Sequence, residues 1–304
     1  MSKNKVLVII VAYNSMQWAD RCYESLRNST VPCDVITIDN GSTDGTQDYV
    51  KSHYPEVDYR EMKSNTGFGH ANNIGLQRAL DEGYEYAYLL NQDAWVMPDT
   101  FERLIAASLK YPEYGVLSPL QMKADLKHFD DKFVTYAVGE CQTERPLMLE
   151  DFYFNRAAEI YETRFVMAAH WFIPRLCLEL VGGFSPTFFH YGEDNNYLTR
   201  VRYWKLKVGI VTTTQAVHDR GDSKWSKEKE LYVTRYTQAL VQTSCPTGRW
   251  HVWTFIRENI IKAIKGRNKL LWDYAIRLFK ERKQIDKNHL ESLKPCAFLT
   301  PKGK

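Results

Sequence analysis

Four short polar clusters hold the side chains able to do chemistry: Asp39, the triplet Asn91-Gln92-Asp93, the pair Glu193-Asp194, and His218. Asp39 opens the turn Asp39-Asn40-Gly41-Ser42-Thr43-Asp44-Gly45. There a carboxylate can accept hydrogen bonds from a pyrimidine N–H or a ribose hydroxyl, or equally cap the next helix. Asp93 follows an apolar run. A carboxylate in that place suits an octahedral Mg²⁺ or Mn²⁺ that also grips diphosphate oxygens, and an ordinary turn aspartate is the plainer alternative. Glu193 and Asp194 come just after Phe188-Phe189-His190-Tyr191. They either complement a helix dipole or supply a general base for an acceptor proton, with the aromatic run raising the pKa and stacking on sugar. A lone histidine such as His218 is commonly structural, but as a nitrogen donor it would favour Mn²⁺ over Mg²⁺.

For these groups to meet, the chain must fold them to one place. The β-branched run Val6–Ala12 reads as a buried parallel strand. Further strands are expected over 35–38, 57–62 and 86–90. Helices are expected through Trp18, Cys22 and Leu26, over 69–82, and over 98–111 with Pro98 in the first turn. Thr43 or Asp44 can cap the helix after the second strand. This alternation is the pattern of an α/β fold, a Rossmann-like, mostly parallel central sheet flanked by helices. Ligands of such sheets bind at the carboxyl ends of the strands, which is where Asp39 and Asp93 stand, so the two are expected to converge on one crevice. Residues 123–164 read as an irregular excursion beside that crevice. Then follow a strand-like stretch over 165–175, the turn Gly182-Gly183-Phe184, a helix over 193–204 and a strand over 207–211.

Taken in order, the clusters resemble glycosyltransferase family 2, whose fold is GT-A. The matching segments are Val11-Ala12-Tyr13-Asn14, the Asp39–Gly45 turn, Asn65-Thr66-Gly67-Phe68-Gly69-His70-Ala71-Asn72-Asn73-Ile74-Gly75, Leu90-Asn91-Gln92-Asp93, and Gly182-Gly183-Phe184 through Gly192-Glu193-Asp194. The likeness spans roughly residues 5–220 and is similar in particular to the branch containing bacterial rhamnosyltransferases. The resemblance implies that Ala12, Tyr13 and Asn14 border the base and that Asp39 binds base or ribose. It implies that the segment with Asn65, Gly67, Asn72 and Asn73 lies over the nucleotide, its glycines allowing close backbone approach. Asn91 and Gln92 fall beside the donor. Asp93 matches the metal aspartate of the DxD motif and His218 a further metal ligand, for Mn²⁺ or Mg²⁺. Asp194 matches the catalytic base, with Glu193 next to it.

Two departures stand out. Asn91 occupies the first acidic place of DxD, leaving one carboxylate. The QxxRW motif of processive members is missing, since Arg249-Trp250 has no Gln three positions before Arg249. With no segment of membrane-spanning length, that sets aside a polymer-extruding synthase. The expected activity is inverting, metal-dependent transfer of a sugar from a UDP- or dTDP-sugar to a carbohydrate or lipid-linked glycan acceptor, in bacterial surface polysaccharide or glycan synthesis. A nucleotidyltransferase or kinase would need a Gly-rich phosphate loop where Tyr13-Asn14-Ser15-Met16 stands. The remaining alternative is a non-catalytic sugar-nucleotide-binding or membrane adaptor.

The net charge of +3 hides an asymmetry, because residues 249–304 carry fourteen Lys and Arg against five Asp and Glu, leaving an acidic body. The expected division is therefore a catalytic domain over 1–230 and a basic amphipathic helical extension over 231–304. The nucleotide half of the catalytic domain is expected over about 1–120 and the acceptor half over about 121–230. The extension holds Trp250, Trp253, Ile256, Ile260, Ile261, Ile264, Leu271, Trp272, Ile276 and Phe279 among its cations. It suits an anionic membrane surface, packing on the catalytic domain, or contact between copies in a homo-oligomer. Nucleic acid is not an expected partner, for no nucleic-acid module or basic groove is evident. Cys22, Cys33, Cys141, Cys177, Cys245 and Cys296 lack metal or redox spacing, which favours a reducing cytoplasm. The protein is expected there, peripheral on the inner face of the plasma membrane.

Overall fold

A computed structural model describes residues 5–139, 148–220, 226–248 and 250–300. Cys141 and Arg249 lie outside the described residues, and the other five cysteines are free thiols. Among the described residues nine strands form one sheet: β1 (Val6–Ala12), β2 (Cys33–Asp39), β3 (Asp58–Glu61), β4 (Tyr86–Asn91), β5 (Ala94–Val96), β6 (Tyr114–Met122), β7 (Ile160–Glu162), β8 (His170–Pro174) and β9 (Lys207–His218). Their order is β3-β2-β1-β4-β8-β6-β9-β5, with β7 paired to β9. The first four run parallel, as the sequence pattern implies. β8 lies antiparallel to β4, and β5 and β7 antiparallel to β9, so the second half of the sheet is mixed.

The helices are α1 (Ala19–Arg27), α2 (Thr46–His53), α3 (Phe68–Glu82), α4 (Thr100–Lys110), α5 (Met148–Tyr153), α6 (Arg175–Val181) and α7 (Glu193–Tyr203). They continue as α8 (Lys227–Leu231), α9 (Gln238–Ser244), α10 (Val252–Gly266) and α11 (Lys269–Ser292). A strand presents alternate residues to opposite faces, and β1 does so without a polar break. Val6, Val8 and Ile10 enter a core with Cys22, Leu26, Phe101 and Leu104 of α1 and α4. Leu7 and Ile9 enter another with Ala71, Leu76, Leu178 and Val201 of α3, α6 and α7. Helices thus cover both faces. α3 comes so near the sheet that a Cβ on Gly75 would meet Ile9 at 2.5 Å.

Several expected elements are longer than their apolar cores suggest. β2 extends to 33–39 and β9 runs on to His218, through a register shift opposite Pro119/Leu120. The strand-like stretch over 165–175 is a strand only over His170–Pro174. The helix after β2 is not capped by Thr43 or Asp44. Its N-cap is Gly45, and Asp44 instead accepts from the Thr46 N–H at 3.1 Å and its hydroxyl at 2.5 Å. The excursion over 123–164 contains a π-helical turn, Phe133–Val138, then α5 and β7, and its residues 140–147 lie outside the described ones.

The helical run Lys227–Ser244 crosses the expected boundary at 230/231. Beyond it a third core joins Tyr236, Leu240, Val252, Ile256, Ala275, Leu278 and Ile285 to Phe188. The C-terminal end returns to the sheet domain. Gly183 donates to the Ala297 carbonyl at 2.8 Å, and the Gln77 amide bonds both backbone groups of Thr300 at 2.8 Å.

Candidate active site

The carboxyl end of β1 is tied to both its neighbours. Ala12 stands beside Asp39 of β2, and Val11 beside Asn91 of β4. Past the strand end, Gln92 clamps the backbone of Tyr13, accepting from its N–H at 2.5 Å and donating to its carbonyl at 3.2 Å. Asn14, at φ 51°, accepts from the Thr43 N–H at 2.8 Å. Asp39 is buried. One of its oxygens takes the N–H groups of Gly41 and Ser42 and the Ser42 hydroxyl at 2.7–3.1 Å, and the other the Tyr59 hydroxyl at 2.8 Å. Asp39 is therefore the organiser of its own turn. Tyr13 itself is about half exposed and free to stack.

The side chains of the 65–73 segment make hydrogen bonds within the protein. Asn65 closes a local turn onto the Gly67 N–H at 2.9 Å, and Asn72 is buried and donates to the Phe68 carbonyl at 3.0 Å. Asn73 stands outside the main cleft, accepting from the Phe184 N–H at 2.6 Å and donating to its carbonyl at 2.9 Å. Gly67 does permit close approach, at φ 88°. The partner is the Phe189 backbone, whose carbonyl an added Cβ would strike. Asn73 and Gly67 thus fasten the nucleotide-side helix to the loop that leads into α7.

Asp93 and His218 are brought together by strand pairing. Ala94 lies opposite His218 in the β5–β9 ladder, and the Asp219 N–H donates to the Asp93 carbonyl at 2.8 Å. Asp93 Oδ1 lies 3.4 Å from His218 Nε2, and Asn91 Nδ2 is also 3.4 Å from that nitrogen. Burial opposes the charge on Asp93, but the His218 hydrogen bond and charge, with Arg220 beyond, hold its carboxyl below the usual range. Adjacent ligands around an ion with bonds of ~2.1 Å sit ~3 Å apart, so the two donors fit one cation. His218 Nδ1 is buried with no hydrogen-bond partner among the described residues. No group of three or more His, Cys, Asp or Glu there could hold a metal. The chain offers two donors, and phosphate oxygens and water would complete an octahedral shell. Behind them His170 is buried and its pKa is lowered to about 3 by that burial. Neutral, it accepts from the Tyr88 hydroxyl at 2.8 Å and donates to the Val217 carbonyl at 2.9 Å.

Glu193 and Asp194 open α7 behind Gly192, whose φ of 90° lets the chain turn into the helix. α7 is held by buried Arg200, which donates to the Val181 carbonyl at 2.8 Å, to Asn196 at 3.1 Å, and to the Gly183 carbonyl. Burial raises the pKa of both carboxyls, and the charge of Asp194 raises that of Glu193 further. Glu193 Oε2 has no hydrogen-bond partner among the described residues, whereas Asp194 Oδ1 accepts from the Asn195 N–H at 2.8 Å. A cleft of about 610 Å³ joins these carboxylates to Asn91 and His218. Its walls also hold Lys132, Arg164, Arg202 and Arg220, all missed in the sequence reading. Arg220 was the legible one, two positions after His218. Asp130 accepts from the Arg220 Nε at 2.7 Å, and the Arg220 Nη2 is buried without a partner among the described residues.

The family model for glycosyl transferase family 2 matches residues 7–163. The chain belongs to that family. It is 31% identical over 122 residues to an N-acetylglucosaminyl-diphospho-decaprenol L-rhamnosyltransferase of Mycobacterium tuberculosis, covering 37% of this chain and 40% of the relative. It is 28% identical over 109 residues to the putative glycosyltransferase EpsH of Bacillus subtilis, covering 34% of this chain and 30% of the relative. These matches thus span less than half the length of either relative. Among solved structures, S. aureus TarS superposes with a TM-score of 0.58 at 13% identity, over 95% of this chain and 55% of that one. The mannosyltransferase PcManGT from Pyrobaculum calidifontis, in complex with GDP-Man and Mn²⁺, gives 0.53 at 17% identity, over 96% and 74%. The fold of this family 2 chain is therefore GT-A. The family match ends before Glu193, Asp194 and His218, so their placement rests on geometry.

Proposed function

We propose that the chain is an inverting glycosyltransferase moving a sugar from a UDP- or dTDP-sugar to a hydroxyl of a glycan or lipid-linked glycan. The observation that carries this reading is the single cleft holding His218 and Asn91 together with Glu193 and Asp194. Asp93 and His218 would hold Mn²⁺ or Mg²⁺. Bound there, the ion stabilises negative charge on the departing diphosphate. Asp194 takes the acceptor proton, its raised pKa suiting a base that works near neutrality. The acceptor oxygen bonds to C1 as the C1–O bond to phosphate breaks, its electron pair leaving with the nucleoside diphosphate. One displacement on the face opposite the leaving group inverts the anomeric carbon.

Glu193, more buried, stays protonated beside Asp194 and lowers repulsion in the cleft. Arg220 supplies a guanidinium nitrogen that has no partner among the described residues, for an anionic group of the substrates. Tyr13, Asn14 and the Asp39 turn form the base-side wall, with Gln92 fixing its backbone. The catalytic unit is assigned to residues up to about 230, with the helices after it as an extension that also walls the cleft through Val233.

Nucleotide release over a panel of UDP- and dTDP-sugars with Mn²⁺, Mg²⁺ or EDTA tests the reading. Release from one donor, abolished by EDTA and by Asp93→Ala, supports it. Absence of both release and nucleotide binding under every condition would sink it.

A further inference from the structure

Helices α10 and α11 form a hairpin with two apolar sides. One side turns Val252, Ile256, Ala275, Leu278 and Ile285 into the third core. The other carries Trp253, Ile261, Ile264, Trp272, Ile276 and Phe279, each 40–67% exposed. Positions 272, 276 and 279 share one helical face. The rings of Trp253 and Phe279 meet edge to face at 5.6 Å, joining the two helices' exposed sides into one surface. A surface helix needs one apolar stripe to pack on its domain, and this hairpin carries a second.

The charge around that second side is positive. Residues 252–283 hold nine Lys and Arg against three Asp and Glu. Lys262 pairs with Glu258 and Arg277 with Glu281. Lys265, Arg267, Lys269, Lys280 and Lys283 are exposed, with no carboxylate in ion-pair range among the described residues. Arg282 lies over the Phe279 ring at 4.0 Å, so its stem follows the apolar side while its charge stays at the edge. Protein interfaces are depleted of lysine. An apolar face with indoles, rimmed by long cations, has the composition of helices that lie in a lipid interface. No helix among the described residues is long and apolar enough to cross a membrane.

We propose that the α10–α11 hairpin docks in the plane of an anionic phospholipid leaflet. Its aromatic and aliphatic side chains lie at the acyl boundary and its Lys and Arg against headgroup phosphates. The contact is mechanically linked to the cleft. Arg277 of α11 covers the Tyr236 ring at 4.4 Å, and the Tyr236 hydroxyl donates to Glu281. The same helical run supplies Val233 to the cleft wall, and its Thr237 and Val241 touch Gly192, just before Glu193. Docking thus fixes the cleft at a set height above the leaflet. The proposal stands on the hairpin alone and does not need the sugar-transfer reading.

The test is flotation of the full chain with phosphatidylcholine vesicles and with phosphatidylcholine–phosphatidylglycerol vesicles, at low and high salt. Binding to the phosphatidylglycerol vesicles is expected, weakened by salt. The exposed pair Trp272→Ser/Phe279→Ser should lower partitioning roughly tenfold or more, and so should Lys280→Glu/Lys283→Glu, with melting temperatures unchanged. The proposal is overturned if wild type does not float with the anionic vesicles, or if both variants bind like wild type. It is also overturned if the face proves to be a dimer contact, with wild type dimeric, the variants monomeric and no vesicle binding.

Discussion

The two walls of the cleft region treat their polar groups in opposite ways. On the nucleotide side the polar side chains of the strand ends and of Asn73 are spent inside the protein, and Gln47 Oε1 on α2 is the buried exception. Both oxygens of Asp39, both amide atoms of Gln92 and both of Asn73 have protein partners. On the reaction side buried atoms are left over among the described residues: Glu193 Oε2, His218 Nδ1 and Arg220 Nη2. A buried polar atom without a partner costs about 1–3 kcal/mol. A fold keeps such atoms where a ligand or water will meet them. In the proposed reading the nucleotide side is thus largely a finished scaffold, and the reaction side is completed by what binds to it.

That contrast sets an order of mutational effects. The largest is expected for Asp194→Asn, which removes the proposed base and keeps the shape. Transfer should fall ~10³-fold, within the range general bases contribute, while donor affinity by calorimetry stays near wild type. A comparable loss of donor affinity would instead make Asp194 part of the nucleotide scaffold. Next comes Asp93→Ala. It leaves His218 as the one protein donor of the pair, so metal-dependent nucleotide release should drop ~10²-fold or more. Raising Mn²⁺ should restore part of the loss. Release indifferent to both metal and substitution would remove Asp93 from the reaction side.

The sequence made the reaction side partly legible, and the reasons are physical. Asp93 and His218 sit at strand ends, where a parallel sheet delivers its ligand contacts. Glu193 and Asp194 mark a helix start. Lys132, Arg164 and Arg202 come from separate elements, and nothing local in the sequence marks them as neighbours. Apolar patterning underestimates a strand where polar residues sit in a ladder, as in the Thr212–Gln215 stretch of β9. The motif around Asn73 points to the nucleotide, but the partner of Asn73 is 111 positions away. A motif shows that a residue matters without showing which atom it touches.

Asn73→Ala probes the scaffold directly. It would strip the Phe184 N–H and carbonyl of their side-chain partner at once, and should cost about 2–3 kcal/mol in denaturant unfolding. Donor binding per folded molecule should be unchanged. If Asn73→Ala lost affinity and kept stability, the division between a finished and an unfinished wall would fail at its clearest member.

The smallest effect separates the walls by pH. Glu193 has a folded pKa above its unfolded value because of burial and the Asp194 charge. The folded state therefore holds the proton more tightly. Its contribution is fully present below the ordinary carboxylate range and is lost as pH rises through the raised pKa. Glu193→Gln removes that titration. The variant's melting temperature relative to wild type should then climb across neutral pH, by the equivalent of about 1–2 kcal/mol of stability. Asp39 offers the contrast, since its carboxylate is met on both oxygens by N–H and O–H donors. A difference that climbs with pH would place a buried carboxyl without a donor on the reaction side. A difference that does not change with pH would mean that Glu193 has found a donor, and that the cleft is closed by the protein itself.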